Sequence, residues 1–528
     1  MITSKAIRQY PIAPVANACL ESVDKQQLTE ALLVSLAEYR DQLQGRRIWL
    51  ACSGGRDSLA LAALCLQLYQ QGKLPFLPQL LHVNHGLQAD SSHWAQHVAD
   101  WAYIQQMPCH ILSAQVNGHD EQAARQARYR VMLAQINQGD VLLLAHHADD
   151  QAETILMRLF QGAGVKGLAG MQPWREQAQG AHTNILWRPW LTVRRTAITA
   201  YAEQLKLPYI DDPTNDSGDN VRSGLRLEVI PALAAYNPNV IDNIARSAQL
   251  LTDAQATVSA QAVQDCQKTA INQLCHPPAQ RVLDIDEIQT LPLYRQRQLL
   301  HYWLAQDEPL PPSKQLIDDV LSLSQRHDYD HQTQLQWQGR RHAYTIRRYR
   351  QQLYRLSQSF LNWLTLPIAE QTQSLPTIMT YKNNVSSEPT TITLRSNERY
   401  KWQLQITENA IVAISNEAIN NDLISNNKQP LLKIAPLGRK QRLQTALATR
   451  PQAGKKLTQT LGIPVWLRDS LLVVSVVSDM VSNGDEELPL LLVLPFASWV
   501  LGLDKLMTDN MINELLGNGF SSILQVLD

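Results

Sequence analysis

The chain has 528 residues, of which 45% are hydrophobic and 18% are charged, and its formal net charge is −1. This length predicts two to four domains, each large enough to bury a core of its own. The composition is ordinary for a soluble globular protein. The near-neutral total excludes no class of partner, because a local basic surface can lie within a balanced charge.

No segment predicts secretion or a membrane span. The N-terminus lacks an apolar run flanked by basic residues and a cleavage site. The most apolar long stretch, residues 488–503, contains two prolines and is shorter than the roughly 20 residues that a span needs, so it predicts buried strands. The six cysteines form no C-x-x-C pair, which favours buried reduced thiols. We therefore expect a cytoplasmic protein that does not contact a membrane.

Five segments are predicted along the chain. They are an N-terminal extension with a helix candidate at 28–43 (1–45), an alternating α/β domain (46–238), a mostly helical domain (239–358), a linker or irregular insert rich in Ser, Thr and Asn (359–430), and a small α+β domain (431–528).

Strand-like and helix-like segments alternate between residues 46 and 238. The strand-like segments are "RIWLAC", "PQLLHVN", "CHILSAQV" and "DVLLLAHH". This alternation predicts an α/β fold with a parallel, doubly wound sheet that is covered on both faces. Ligands bind such sheets beyond the carboxyl ends of the strands, where this sequence has "SGGRDS", "NHGL" and "HHADD".

The first strand ends in a loop built from Ser53, Gly54, Gly55, Arg56, Asp57 and Ser58. Glycines let the backbone approach a ligand, and the helix that follows presents unpaired N–H groups, so the loop predicts a phosphate cradle. It lacks the lysine of the Walker pattern. Asp57 suits Mg²⁺ held against a pyrophosphate. The alternative is a tight turn in which Asp or Ser caps the helix.

Ser-Gly-Gly-x-Asp-Ser after a first strand resembles the PP-loop of the N-type ATP pyrophosphatases, which cleave ATP between the α- and β-phosphates. Further blocks, including "EQAARQARYRVM", "LLLAHHADDQAETILMRLFQGAGVKGLAGM" and "GKKLTQTLGIPVWLRDSLLVV", resemble the tRNA(Ile)-lysidine synthetase family in order and spacing. The resemblance covers most of residues 46–240 and about 45 residues near the C-terminus.

This resemblance implies an ATP-dependent ligase. Members of the family adenylate C2 of cytidine 34 in the CAU anticodon of an isoleucine tRNA, and the ε-amino group of free L-lysine then displaces AMP. The implied partners are tRNA(Ile), L-lysine, ATP and Mg²⁺, and a homodimer is compatible with the sequence.

The resemblance also implies roles for four residues outside the loop. Arg125 and Arg128 are placed near ATP and the reacting base; their alternative is a solvated helix face. Asp150 and Glu153 lie three apart at a helix start, where they are expected to bind lysine and accept its proton. Their alternative is charge matching to the helix N-terminus.

Two positions depart from the family pattern. Gln161 stands where the family has arginine, and Ser223 stands where it has asparagine. Arg222 and Arg226 are retained beside Ser223 and are expected to bind tRNA. Neither departure touches the phosphate loop, so we expect an active enzyme.

Two basic stretches near the end of the chain predict contacts to the RNA backbone. Residues 332–356 contain six arginines with interleaved aromatic residues. Residues 433–468 contain eight basic residues and no acidic residue. The alternative is a solvated basic face. The expected tRNA-binding residues here are Arg340, Arg341, Arg347, Arg348, Arg439, Lys440, Lys455 and Lys456.

Three other functions are compatible with parts of the sequence. A tRNA thiolase of the same superfamily would commonly use paired cysteines, which are absent from this sequence. An amidotransferase would need a glutaminase domain, and none is visible. A non-catalytic RNA-binding protein with a decayed ATP site conflicts with the intact "SGGRDS" and "DDQAET".

Overall fold

The computed structural model describes residues 6–8, 10–15, 22–86, 90–115, 121–179, 182–211, 221–271, 276, 278–326, 333–375, 389–412, 414, 431–438, 440–445, 450–477, 487–501 and 520–527. The chain divides into two compact units, Met1–Thr257 and Val258–Asp528. Within the described part of the chain, no helix is both long and apolar enough to cross a membrane.

The first unit has the alternating order that the sequence predicts. Its described helices are α1 (Val23–Glu38), α2 (Arg40–Leu43), α3 (Arg56–Gln70), α4 (Ser91–Ile104), α5 (Glu121–Gln135), α6 (Ala148–Phe160), α7 (Val165–Leu168), α8 (Arg195–Gln204), α9 (Val221–Gly224) and α10 (Ile230–Tyr236), with a π-helical turn at Leu225–Val229. Its described strands are β1 (Ile48–Ala51), β2 (Gln79–Asn84), β3 (Cys109–Ser113), β4 (Val141–Leu143), β5 (Trp174–Gln179) and β6 (His182–Trp187). Helix α11 (Val240–Thr269) contains the boundary between the units.

The strands of this unit form one sheet in the order β3-β2-β1-β4-β6-β5. All neighbouring pairs are parallel except β5 with β6. Strands β2 and β3 lie on one side of β1, and β4 lies on its other side. The order of the strands therefore changes direction between the neighbouring strands β1 and β4. The predicted parallel α/β fold is confirmed, and the loops after β1 and β4 open at the switch point where such sheets bind ligands.

Helix α3 lies at the centre of the core of this unit. Residues 58–68 are all buried. Burial on all sides explains why most residues of this segment are apolar, with no polar face. Leu28 and Leu32 of α1 belong to the same core and are fully buried. The start of α3 is therefore held in place by packing along most of the helix.

The second unit is built from small antiparallel sheets and short helices. Its described helices are α12 (Ile285–Gln289), α13 (Leu293–Ala305), α14 (Lys314–Ser324), α15 (Gln358–Leu364) and α16 (Gly454–Thr460), with a 3₁₀ helix at Val465–Ser470. Its described strands are β7 (Gln280–Asp284), β8 (Gln334–Gln338), β9 (Ala343–Tyr349), β10 (Gln352–Ser357), β11 (Gln371–Ser374), β12 (Thr390–Ser396), β13 (Tyr400–Ile406), β14 (Leu431–Pro436), β15 (Arg442–Leu443), β16 (Gln452–Ala453), β17 (Leu472–Val477), β18 (Glu487–Leu494), β19 (Ala497–Val500) and β20 (Phe520–Val526).

These strands form sheets in the orders β7-β10-β9-β8, β11-β14-β17-β18-β19, β12-β13-β20 and β15-β16. The apolar stretch at 488–503 forms most of β18, which is largely buried, and β19, which is only partly buried. The prediction of buried strands is therefore confirmed for β18, and residues 502 and 503 lie outside the described residues.

Part of the segment 359–430 is ordered sheet, contrary to the expectation of an irregular insert. Strand β12 pairs with β13, and β13 also pairs with β20 more than a hundred residues later. Trp402 and Leu404 of β13 are fully buried in the largest core of the unit. The polar residues of β12 and β13 alternate with these apolar ones, which is the pattern of a half-buried strand. The boundaries of the five predicted segments stay predictions.

Candidate active site

The loop between β1 and α3 has a backbone form that requires glycine. Gly54 has φ +83°, and a Cβ added there would lie 2.7 Å from both Ile210 Cδ1 and Val98 Cγ2. The hydroxyl of Ser58 donates to the Gly55 carbonyl oxygen at 3.0 Å. No side chain caps the first turn of α3 in the described structure. Its N–H groups are therefore available to an anion.

A cavity of about 320 Å³ opens over this loop. Its walls come from the ends of β1, β2 and β4 and from α5. Seven of the predicted site residues line it, and these are Ser53, Gly55, Asp57, Ser58, Arg125, Arg128 and Asp150. Gly54, Arg56 and Glu153 do not line it. The structure thus brings the phosphate loop, two arginines and one acidic residue into a single space.

His147 joins the carboxylates around this cavity. It is the N-cap of α6, and its Nε2 lies 3.6 Å from Asp57 Oδ2 and 3.5 Å from Asp150 Oδ2. Its Nδ1 lies 3.7 Å from Asp149 Oδ2. Burial opposes a charge on this ring, but the charge of Asp150 and the hydrogen bond to Asp57 outweigh burial and raise the pKa of His147 to about 9.

Two contacts compete for Nδ1 of His147. The ring nitrogen can accept the Asp150 N–H at 3.4 Å, or, when protonated, it can face Asp149. The N–H contact is long for a hydrogen bond, whereas three carboxylates surround the ring. The imidazolium form is therefore favoured.

His147 in turn keeps two of these carboxylates ionised. The enclosed position of Asp57 opposes its charge, but hydrogen bonding and attraction from His147 hold the pKa of Asp57 well below its usual range. Burial likewise opposes the charge of Asp150, and attraction from His147 lowers the pKa of Asp150. Both carboxylates at the cavity are anions near neutral pH.

Glu153 lies in a buried ion-pair cluster outside the cavity lining. Its side chain is 1% exposed, and its Oε1 accepts a hydrogen bond from Arg226 Nε at 2.7 Å. Arg222 Nε lies 3.2 Å from its Oε2. Burial raises the pKa of Glu153 although both arginines oppose the shift. The catalytic role of Glu153 and the tRNA-binding roles of the two arginines stay predictions.

The polar wall behind the cavity includes residues that the sequence did not reveal. Strand β4 ends at Leu143 and is shorter than the strand-like segment "DVLLLAHH", so His146 and His147 lie in the loop that follows it. Burial lowers the pKa of His146 to about 3, and its Nδ1 accepts a hydrogen bond from Arg188 Nε at 3.2 Å. Arg188 follows β6 directly. Its position directly after a parallel strand is the sequence signal by which Arg188 could have been identified.

The N-terminal extension braces the phosphate loop. Ile7 pairs with Ile210 in an antiparallel bridge, and the Ile210 N–H donates to the Gly54 carbonyl oxygen at 2.9 Å. The hydroxyls of Tyr10 and Tyr209 donate to the two carboxylate oxygens of Glu203 at 2.7 and 2.6 Å. Residues near the start of the chain thus support the segment that closes one side of the loop.

The basic residues of the second unit separate into surface and core positions. Arg340, Arg341, Lys440, Lys455 and Lys456 are exposed, and Arg347 and Arg348 are partly exposed. Arg439 lies outside the described residues. The tRNA-binding roles of all eight stay predictions.

Most aromatic residues interleaved with the arginines belong to the core. Tyr344, Tyr349 and Tyr354 are almost fully buried. Arg355 is also buried and pairs with Asp307 at 2.8 Å. These four side chains hold the sheet together and are not on the surface, so the arginine and aromatic surface expected from the sequence is smaller than its residue count suggests.

Comparisons with known proteins identify related families for both units. A model described as a PP-loop domain matches residues 25–233, and a model described as a TilS substrate binding domain matches residues 283–354. The chain is 37% identical to the tRNA(Ile)-lysidine synthase of Psychrobacter sp. (strain PRwf-1) over 521 residues, which are 93% of this chain and 97% of that protein.

Two further similarities cover less of the chain. The tRNA(Ile)-lysidine synthase of Pseudomonas aeruginosa is 38% identical over 298 residues, 54% of this chain and 64% of that protein. Among solved structures, the U34-tRNA thiolase NcsA from Methanococcus maripaludis with its [4Fe-4S] cluster is 20% identical, with a TM-score of 0.35 over 43% of this chain and 80% of that chain.

The close contact at Gly54 predicts a specific loss of nucleotide binding. We expect Gly54→Ala to weaken ATP binding by at least about ten-fold in titration calorimetry, because a Cβ there must push Ile210 and Val98 away. The matched control is Gly72→Ala, since Gly72 has φ +69° with open space around it. This control carries a similar backbone strain and should bind ATP as the wild type does. Equal ATP affinity in both variants would contradict the proposed close fit.

The raised pKa of His147 predicts how stability depends on pH. The pKa of an unfolded histidine is about 6.5, and the pKa of His147 in the folded chain is about 9. Its stabilising contribution is therefore complete below the unfolded pKa and is lost as pH rises through about 9. Between pH 6.5 and 9.5, the unfolding free energy of the wild type should fall by about 1–3 kcal/mol more than that of His147→Gln.

Urea unfolding in metal-free buffer measures this difference. His93→Gln is the control, because it removes an exposed imidazole of the same unit and should follow the wild-type curve. Parallel curves for the wild type and His147→Gln would show that the ring is not held as an imidazolium.

Proposed function

The chain belongs to the tRNA(Ile)-lysidine synthase family, and we propose that it ligates free L-lysine to C2 of cytidine 34 in the CAU anticodon of an isoleucine tRNA. ATP is converted to AMP and pyrophosphate, and the tRNA changes from methionine to isoleucine identity. A tRNA substrate assigns this activity to the cytoplasm. The observation that carries the proposal is the single cavity shared by the phosphate loop, Arg125, Arg128 and Asp150.

The first step needs a site that binds the outer phosphates of ATP. The uncapped N-terminus of α3 and the glycine-lined loop offer N–H donors for them. Arg125 and Arg128 of α5 line the same cavity and stabilise the charge that develops on the departing pyrophosphate. Cytidine O2 then bonds to the α-phosphorus as the bond between that phosphorus and the bridging oxygen to the β-phosphate breaks.

Asp57 fits the role of a Mg²⁺ ligand. It is an anion at the mouth of the loop, and the described residues contain no group of three or more His, Cys, Asp or Glu side chains that would hold a metal alone. Mg²⁺ usually binds through one or two carboxylates and completes its shell with phosphate oxygens and water. When bound with ATP, it would neutralise charge on the pyrophosphate.

The second step needs an anion that attracts the lysine ammonium and takes its proton. Asp150 lines the cavity and is ionised, whereas Glu153 is already held by Arg222 and Arg226. Asp150 is therefore the carboxylate that meets the substrate amine. The deprotonated ε-nitrogen bonds to C2, and AMP departs with the former O2.

The exposed basic residues of the second unit fit the phosphate backbone of the tRNA. Five of them are exposed and form no ion pair with an acidic side chain in the described part of the chain, and these are Arg340, Arg341, Lys440, Lys455 and Lys456. Each is able to displace counterions from RNA. A large polyanionic substrate thus accounts for much of the chain beyond the ATP site.

Cysteine chemistry gives no support to sulfur transfer as an alternative. Cys52 is the cysteine that lines the cavity, and burial raises its pKa to about 11. A thiol with such a pKa is protonated at neutral pH and is a poor nucleophile. The cysteines of the described residues are all free.

Lysine incorporation into RNA tests the proposal. Purified protein, ATP, Mg²⁺, labelled lysine and a CAU-anticodon isoleucine transcript should give labelled RNA. Asp57→Ala should abolish the label, and Asp150→Asn should reduce the rate by at least about a hundred-fold because the proton acceptor is lost. The control is Asp100→Asn, which alters an exposed carboxylate of the same unit and should leave the rate unchanged. Wild-type turnover by Asp150→Asn would remove the role assigned to it.

A further inference from the structure

The second unit contains a cavity of about 660 Å³ that the proposed chemistry does not use. Strands β8, β9 and β12, helix α15 and the 3₁₀ helix at Val465–Ser470 contribute to its walls. The residues that matter for its chemistry are Arg395, Arg347, Trp466, Gln334, Gln336 and Asn362.

Arg395 is a buried cation without a carboxylate partner among the described residues. Its relative exposure is 6%, its Nη1 donates to Ser470 Oγ at 3.0 Å, and its Nε has no hydrogen-bond partner in this part of the chain. Burial with no opposing charge lowers its pKa to about 10. Buried charges in proteins are normally paired, as Arg355 is with Asp307 in the same unit.

A second arginine in the cavity also lacks an acidic partner in the described structure. Arg347 donates from Nε and Nη2 to Gln334 Oε1 at 3.1 and 2.7 Å. Its guanidinium lies 5.3 Å from the centre of the Trp466 ring. Of the described lining residues, Asp469 alone is acidic, and it pairs with neither arginine. The described lining therefore contains two basic side chains and one acidic side chain, and its net charge is positive.

The remaining lining side chains suit the planar part of a nucleotide. Gln334, Gln336 and Asn362 supply amide donors and acceptors, and the Trp466 ring, which has the Arg347 guanidinium 5.3 Å from its centre, offers a flat surface. The Trp466 ring is fixed because its N–H donates to Gln280 Oε1 at 3.2 Å. Bases stack on such surfaces, and amides can read their edges.

We propose that this cavity binds one nucleotide, with its phosphate group at Arg395 and Arg347 and its base against the Trp466 ring. The matched TilS substrate binding domain ends at residue 354 and so excludes Arg395 and Trp466. The source of the phosphate is the RNA substrate or a free nucleotide, and the first of these sources rests on the proposed function.

Binding measurements on the full chain test this site. Arg395→Gln should raise the Kd for the CAU-anticodon isoleucine transcript by about ten-fold in filter binding at 0.1 M salt, and should reduce the salt slope of log K by about 1. Arg399→Gln is the control, because it removes a positive charge just beyond the same strand and should change neither quantity. Arg395→Lys keeps the charge and should retain most of the affinity.

Titration with 5′-AMP separates the two sources. If a free nucleotide fills the cavity, the wild type should take two AMP molecules per chain and Arg395→Gln only one, because the ATP site remains. A changed tRNA slope with unchanged AMP stoichiometry would assign the cavity to the RNA phosphate. The loss of one bound AMP in Arg395→Gln and a changed salt slope for tRNA binding each support a nucleotide site in this cavity.

Thermal unfolding distinguishes a ligand site from a structural arginine. Removing an unpaired buried charge should leave the melting temperature of Arg395→Gln unchanged or higher. If both tRNA affinity and AMP stoichiometry stay at wild-type values, the proposal is wrong, whatever the melting temperature. If the wild type incorporates no lysine but these binding differences persist, the proposed function fails and the nucleotide site stands.

Discussion

The carboxylates of Asp57 and Asp150 lie at the edge of one cavity, and the positively charged ring of His147 keeps both of them ionised. Asp57 follows β1 and Asp150 lies at the start of α6, and the same ring nitrogen lies within 3.6 Å of each carboxylate. Without a cation between them, partly buried carboxylates this close to one another would favour protonation of one. The proposed chemistry requires both as anions, one beside the phosphates and one beside the lysine amine.

The fold places these two residues together through the order of its strands. Because β1 and β4 are neighbours in the parallel sheet, the loops that follow them open at the same edge. Helix α3 is buried along most of its length. Its packing therefore fixes the position of the phosphate loop, which leads into it. Its outer side is closed by Ile210, which the N-terminal residues hold through Ile7. The arrangement of the side chains at this cavity is thus a consequence of strand order and packing.

Much of this arrangement could be predicted from short-range patterns. Apolar runs followed by polar clusters identified β1, β2 and β4, and the two glycines identified the loop, because strand burial and backbone conformation leave local signals. The pairing of Glu153 with Arg222 and Arg226 left no such signal, since the partners are about seventy residues apart. Strand β13 was missed for the same reason, because its partner β20 lies near the end of the chain. The end of β4 after Leu143 was not predicted, because the apolar run continues beyond that residue.

In the proposed reaction, the loop binds the two outer phosphates of ATP while the α-phosphorus is transferred to the RNA. The most direct measurement omits lysine and follows ATP labelled separately at the α- and γ-phosphates, with the CAU-anticodon transcript present. We expect the γ-label in pyrophosphate and the α-label bound to the RNA until lysine is added, when the α-label is released as AMP. Release of γ-label as orthophosphate, or α-label that never becomes attached to RNA, would contradict it.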